Sequence, residues 1–143
     1  MPGTNTGSGK SFENEVRNLL STHGFKISNP KAALGTDLAG RAYKRAFIAE
    51  SSDGTLLLVT TYFQDTSGTV QEKVPWDVLT LGKILNKSNG RFARAYLVVG
   101  GVRGFTLRPY FTSGELQASL VGCECVIIVD QDELRRLAST GKL

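Results

Sequence analysis

The sequence predicts a mixed α/β fold, a β-sheet with helices on both faces. Three observations predict it. Residues 55–63 (TLLLVTTYF) and 93–99 (ARAYLVV) are apolar almost without a break, as strands covered on both faces are. Helical stripes alternate with these runs along the chain. Gly, Pro, Ser and Asp clusters punctuate the boundaries.

Taken in order, residues 1–10 are Gly-, Ser-, Thr- and Asn-rich and read as a flexible tail, leaving a single domain over 11–143. Ser11 suits an N-cap. Phe12, Val16, Leu19 and Leu20 then fall at i, i+4, i+7 and i+8, one face of a helix that Gly24 ends. A short strand is expected at 25–27 or nearby, and 28–40 reads as loop. Residues 46–50 and 55–63 are strands joined by a turn at Ser52, Asp53 and Gly54. A polar loop follows at 65–72. Pro75 opens a second helix, whose apolar face is Val78, Leu79, Leu81, Ile84 and Leu85 and which closes over 86–90. Residues 93–99 form a strand, 105–111 an edge strand, 114–120 a short helix and 126–129 a last strand. Asp130 caps a terminal helix, with Glu133 as its capping-box partner, and Gly141 ends it. The predicted order is α-β-β-β-α-β-α-β-α.

Composition narrows the class. The 143 residues are 41% hydrophobic and 21% charged, which excludes wholesale disorder and fibrous architectures. No apolar run approaches the roughly 20 residues of a spanning helix, so no membrane partner is expected. The N-terminus has no secretory h-region. Two cysteines, Cys123 and Cys125, make no disulfide framework, and a cytoplasmic location is expected.

The net charge of +4 is unevenly placed. Residues 10–45 carry seven Lys/Arg against three acids; residues 46–72 carry four acids and no base. Residues 73–108 carry seven Lys/Arg against one acid, and 109–143 three against five. Two basic blocks around an acidic centre suit a polyanion such as DNA.

Three motifs carry less than they promise. Gly7-Ser8-Gly9-Lys10-Ser11 resembles a phosphate loop, but Thr4 stands where its first Gly belongs and no strand precedes it. Cys123-x-Cys125 lacks the further ligands of a zinc site and reads as a pair of buried strand cysteines. His23 sits before Gly24, where a helix C-terminus suits its charge.

Residues 43–81 are more informative. Gln64, Ser67-Gly68-Thr69 and Glu72-Lys73-Val74-Pro75, leading into a helix, resemble a subgroup of the PD-(D/E)XK nuclease superfamily. SFENEVRNLL resembles that family's first helix, with its acid at Glu13, and ARAYLVVGG a later core strand. The resemblance implies a restriction-endonuclease-like mixed sheet flanked by helices, with an αβββαβ core. It also implies two carboxylates that hold Mg²⁺ at the scissile phosphate and a lysine that helps activate water.

The signature residues depart from that pattern. Alignment on the Ser67-Gly68-Thr69 loop places Ala46 at the Asp position, Thr60 at the Glu position and Tyr62 at the Lys position. No metal site is therefore assigned. Glu13, Gln64 and Lys73 are the catalytic candidates that remain, with Asp37 and Glu50 as possible migrants. Lys44, Arg45, Ser67, Gly68, Thr69 and Lys73 are candidates for DNA contact, and Lys83, Lys87, Arg91 and Arg94 complete the second basic block. The expected function is a degenerate nuclease-fold domain that binds double-stranded DNA, acting as a homodimer or beside an active nuclease subunit. The alternatives are an active Mg²⁺-dependent endonuclease with a rearranged site, and a protein–protein scaffold.

Overall fold

The structure, a computed structural model, describes residues 4–63, 73–101 and 108–143. Its elements are α1 (Thr4–Thr22), β1 (Lys26–Ser28), β2 (Gly35–Thr36), β3 (Ala42–Tyr43), β4 (Phe47–Glu50), β5 (Leu56–Phe63), α2 (Val74–Lys87), β6 (Arg94–Gly100), α3 (Arg108–Thr112), α4 (Glu115–Ala118), β7 (Val126–Asp130) and α5 (Gln131–Ser139). Five strands make one mixed sheet in the order β1-β4-β5-β6-β7, and β2 and β3 form a separate two-stranded ribbon. The β1–β4 and β4–β5 pairs are antiparallel, and the β5–β6 and β6–β7 pairs are parallel. The predicted α/β class is present, and so is the αβββαβ order through β6 for the strands of the main sheet, the β2–β3 ribbon being inserted between β1 and β4.

Strand alternation divides the core in two. One layer lies under α2, with Leu58 and Tyr62 of β5 meeting Val74, Val78 and Leu81. The other lies under α1 and α5, with Leu57 and Val59 meeting Phe12, Val16, Leu20 and Leu134. β5 is central and buried on both faces, which is why its sequence is apolar without alternation. Asp130 caps α5, its carboxylate accepting from the Glu133 amide at 2.9 Å, while the Glu133 side chain turns to Arg136 and leaves the capping box half made.

Four local expectations are corrected. Helix α1 begins at Thr4, so Ser11 lies inside it and is no cap. The polar, Gly-containing lead has low helix propensity, and the start was hidden for that reason. Phe12 anchors the helix just downstream, 5.6 Å from the Phe63 ring centroid. The stretch 28–40 is not all loop, because Gly35 and Thr36 pair with Tyr43 and Ala42. The edge strand expected at 105–111 is displaced by α3, since Pro109 lacks an N–H for a ladder and suits a helix's first turn; residues 102–107 lie outside the described residues. Cys123 and Cys125 sit in the turn before β7 and not on it, the first buried and the second exposed. No helix among the described residues is long and apolar enough to cross a membrane.

Gly82 lets α2 approach that turn. A Cβ there would lie 2.9 Å from the Gly122 carbonyl oxygen and 2.9 Å from Cys123 Sγ. Gly82→Ala would gain about 1 kcal/mol of helix propensity. Overpacking against a backbone oxygen costs about 1–3 kcal/mol, so the clash is expected to win. A lower urea midpoint for Gly82→Ala is the expected result; an unchanged or higher one would show that the turn yields.

Candidate functional site

Ala46, Thr60 and Tyr62 converge as strand geometry requires. Thr60 and Tyr62 are two residues apart on β5 and share the face that α2 covers. Ala46 lies one position beyond the Phe47–Val59 pair and belongs to the same layer. All three are buried. None offers a carboxylate or an ammonium group.

Beside them opens a cleft of ≈ 890 Å³. One wall is β3 and the residues around it: Asp37, Arg41, Ala42, Tyr43, Lys44 and Arg45. The other is the start of α2: Lys73, Trp76 and Asp77. The ribbon is held against α2 by Lys83, whose Nζ donates to Thr36 Oγ1 at 2.9 Å and to the Asp37 carbonyl at 3.2 Å.

Asp77 is the chemical centre. Its side chain is 2% exposed. Arg45 Nη1 lies 3.0 Å from its Oδ2 and donates to Tyr62 Oη at 2.9 Å. Tyr62 in turn donates to Asp77 Oδ2. The Arg45 guanidinium also sits 4.7 Å from the Tyr62 ring centroid, within cation–π range. Burial pushes the Asp77 carboxyl up; the Arg45 charge opposes this and the Asp37 charge adds to it, so it stays above its ordinary value. A carboxylate and a cation are thus present near the signature positions, but they come from α2 and from the segment before β4, and they neutralise each other.

Asp37 has its own partners. Oδ1 accepts from the Ala39 and Arg41 amides at 2.9 and 3.0 Å, and Oδ2 from Arg41 Nε at 3.1 Å. Burial raises its pKa, yet these bonds and the Arg41 charge outweigh that and hold it below the usual value. Tyr43 is buried beside Thr60, and its hydroxyl has no hydrogen bond of ordinary geometry among the described residues. Burial, with the Asp77 charge, pushes that phenol well above its ordinary range.

The cleft brings together three of the residues expected to contact DNA. Lys44 and Lys73 are exposed and make no ion pair or hydrogen bond among the described residues, and Arg45 is half-exposed. Lys73 also occupies the N-cap of α2 without a side-chain cap bond, so the positive end of that helix faces the same space. Gln64, Ser67, Gly68 and Thr69 lie outside the described residues. Glu13 is on α1, against the opposite face of the sheet, and pairs with Arg17 at 2.9 Å. Glu50 ends β4, opposite Lys26 and Leu56 and away from Ala46. Nor is the second basic block a single surface. Lys83 pins the ribbon, Arg91 lies over Phe92, and Arg94 donates to the carbonyl of Leu143 at 2.6 Å.

A hard divalent cation needs about six oxygens with few competitors. Here one carboxylate is bound to two amides and a guanidinium, and the other to a guanidinium and a phenol. No group of three or more His, Cys, Asp or Glu converges among the described residues. The donors among the described residues do not fit Mg²⁺; Asp65 and Glu72 lie outside them. Asp77 and Trp76 are the site residues that sequence reasoning missed. Asp77 could have been found, because helical spacing places it on the stripe of Val74, Val78 and Leu81, where a carboxylate needs a partner.

A family model described as a PD-(D/E)XK nuclease superfamily domain matches residues 4–107. No curated protein and no solved structure matches the chain. The chain belongs to the PD-(D/E)XK nuclease superfamily, and the match starts where α1 starts and stops before α3.

The shifted carboxyl of Asp77 has a consequence for stability. Folding favours its protonated form, so stability falls as pH rises from about 3.8 through the folded-state pKa. Asp77→Asn has no such ionisation. The unfolding free energy of the variant minus that of the parent is therefore expected to rise with pH above 4. Urea unfolding at several pH values between about 4 and 7 checks the sign. A difference that shrinks with pH would show that pairing with Arg45 outweighs burial.

Proposed function

We propose that this superfamily domain binds DNA through the cleft between β3 and α2 and does not cleave it. The observation that carries the reading is the set of cations at that place. Lys44 and Lys73 have no internal partner among the described residues, Arg45 presents a half-exposed guanidinium, and the start of α2 adds its positive end. Free ammonium groups on a cleft displace counterions from phosphates. A rigid scaffold holds them, since Lys83 ties the ribbon to α2 and Asp77 orients Arg45.

Among the described residues, hydrolysis lacks its usual means. Cleavage of a phosphodiester in this superfamily rests on a metal that lowers the pKa of water and stabilises charge on the transferring phosphate. The described carboxylates of the cleft, Asp37 and Asp77, are paired with Arg41, Arg45 and Tyr62. Tyr62 fills the position at which the resemblance places a lysine, and the positive charge nearest it belongs to Arg45, itself paired. What the described residues of the cleft offer is a binding surface. Such a domain would act by occupying DNA or by presenting it to another subunit.

Gel-shift titrations at roughly 50 and 200 mM salt test the binding. Affinity is expected to fall steeply with salt and to be unchanged by EDTA. Lys44→Ala and Lys73→Ala should each lower the slope of log affinity against log salt by about one, uniformly across sequences. Arg45→Ala is a poor probe of contact, because it leaves Asp77 buried without its cation. Absence of salt-dependent binding would end the reading. In a separate assay, plasmid incubated with Mg²⁺ or Mn²⁺ should remain supercoiled, and nicking that is lost in Asp77→Asn would show a working rearranged site.

A further inference from the structure

We infer that the cleft takes DNA by an unpaired nucleotide, whose base stacks on Trp76; this deepens the proposal above and rests on it. Trp76 is the only tryptophan in the chain and is 40% exposed. It stands in the first turn of α2, on the outward side of a helix whose Val74, Val78, Leu81 and Ile84 are buried. Its ring is therefore not part of the core, and no aromatic or cation–π contact satisfies it among the described residues. Burying such a ring on a partner is worth more than burying any other side chain.

The surroundings select the partner. Trp76 shares its cleft with Lys44, Arg45, Lys73 and Arg41, and the start of α2 points into the same space. An aromatic face flanked by cations on a positive backbone end is the arrangement that binds single-stranded nucleic acid, with bases stacked and phosphates neutralised. A base inside a duplex has both faces covered by its neighbours, so it offers Trp76 nothing. An unpaired one, at an overhang, a flap, a gap or a flipped position, offers a free face. The volume of ≈ 890 Å³ falls in the range of pockets that take a small organic ligand, room for one or two nucleotides. An apolar protein partner would leave Lys44 and Lys73 desolvated beside it without counter-charges, which disfavours that occupant.

Because Trp76 is the sole tryptophan, intrinsic fluorescence reports on this position alone. The full chain would be titrated at low salt with a short oligothymidylate, with a blunt duplex of equal charge, and with a base-free deoxyribose-phosphate oligomer. The expected result is strong quenching by the single strand, and weak or no quenching by the other two even where they bind. In gel shifts, Trp76→Leu should weaken the single strand about five- to a hundredfold, the span of one stacked base. Trp76→Phe should restore part of the loss, and blunt-duplex binding should change little. Equal quenching by duplex and single strand would overturn the inference. So would single-strand binding without quenching, or with unchanged affinity in Trp76→Leu; in those cases the cationic DNA cleft survives. Binding of none of the three polyanions would remove both readings. The quenching arm uses the unaltered chain, so the result does not depend on how the variants fold.

Discussion

A carboxylate with almost no exposure at the start of a helix must be paired, and Asp77 sets the terms for everything around it. An unpaired charge at that depth would cost several kcal/mol. The fold answers with one hydrogen bond from the sheet and one cation from the segment before β4: Tyr62 reaches it from β5, and Arg45 covers both. Three segments distant in sequence are thereby fixed to one atom pair. Their positions define the cleft, because Lys44 precedes Arg45, and Trp76 and Lys73 share the first turn of α2 with Asp77. The Lys83 bonds to Thr36 and the Asp37 carbonyl add a second tie along the same helix. The walls of the site are held by polar contacts at two heights on α2, and by apolar packing of Val74, Val78 and Leu81 between them.

Much of the scaffold was legible in the sequence. The strands carry β-branched and aromatic runs, and the stripe of Phe12, Val16, Leu19 and Leu20 is buried as its spacing requires. The three signature positions could be placed on one face from the period of a strand alone. What escaped was of two kinds. Elements with little sequence signal were missed, namely the two-residue strands β2 and β3 and the polar first turns of α1. Charge along the chain was also a poor guide to charge in space. Of the seven bases from 73 to 108, those whose side chains the structure describes do not share one surface: Arg94 donates to the carbonyl of Leu143 and Lys83 turns inward to the ribbon. The single acid in that block was the informative residue. Its helical phase placed it among buried apolar residues, a local conflict that native sequences keep at functional or strained sites.

The same cluster bears on the proposed separation of binding from cleavage. A carboxylate serves a metal only if its lone pairs are free, and a lysine serves a water only if its charge is not already spent. At Asp77 a guanidinium and a phenol both engage Oδ2, and the strand position where the resemblance places a lysine gives an aromatic ring that packs in the core and supports the guanidinium. These choices depend on one another. Tyr62 without Asp77 would bury a hydroxyl lacking its acceptor; Asp77 without Arg45 would bury an uncompensated charge; Arg45 without Tyr62 would lose the ring beneath it. Residues in one network couple by about 0.5–3 kcal/mol, so no one of them can be exchanged as if the other two were indifferent. Restoring a metal-binding pattern at Ala46 and Thr60 would bring new carboxylates against a pocket already balanced in charge, beneath Tyr43 and against Leu97 and Leu58. Meanwhile the groups that face outward, Lys44, Lys73 and Trp76, take no part in this balance. In the proposed reading they meet a phosphate and a base without disturbing it, because a surface free to bind lies above a core whose charges are paired.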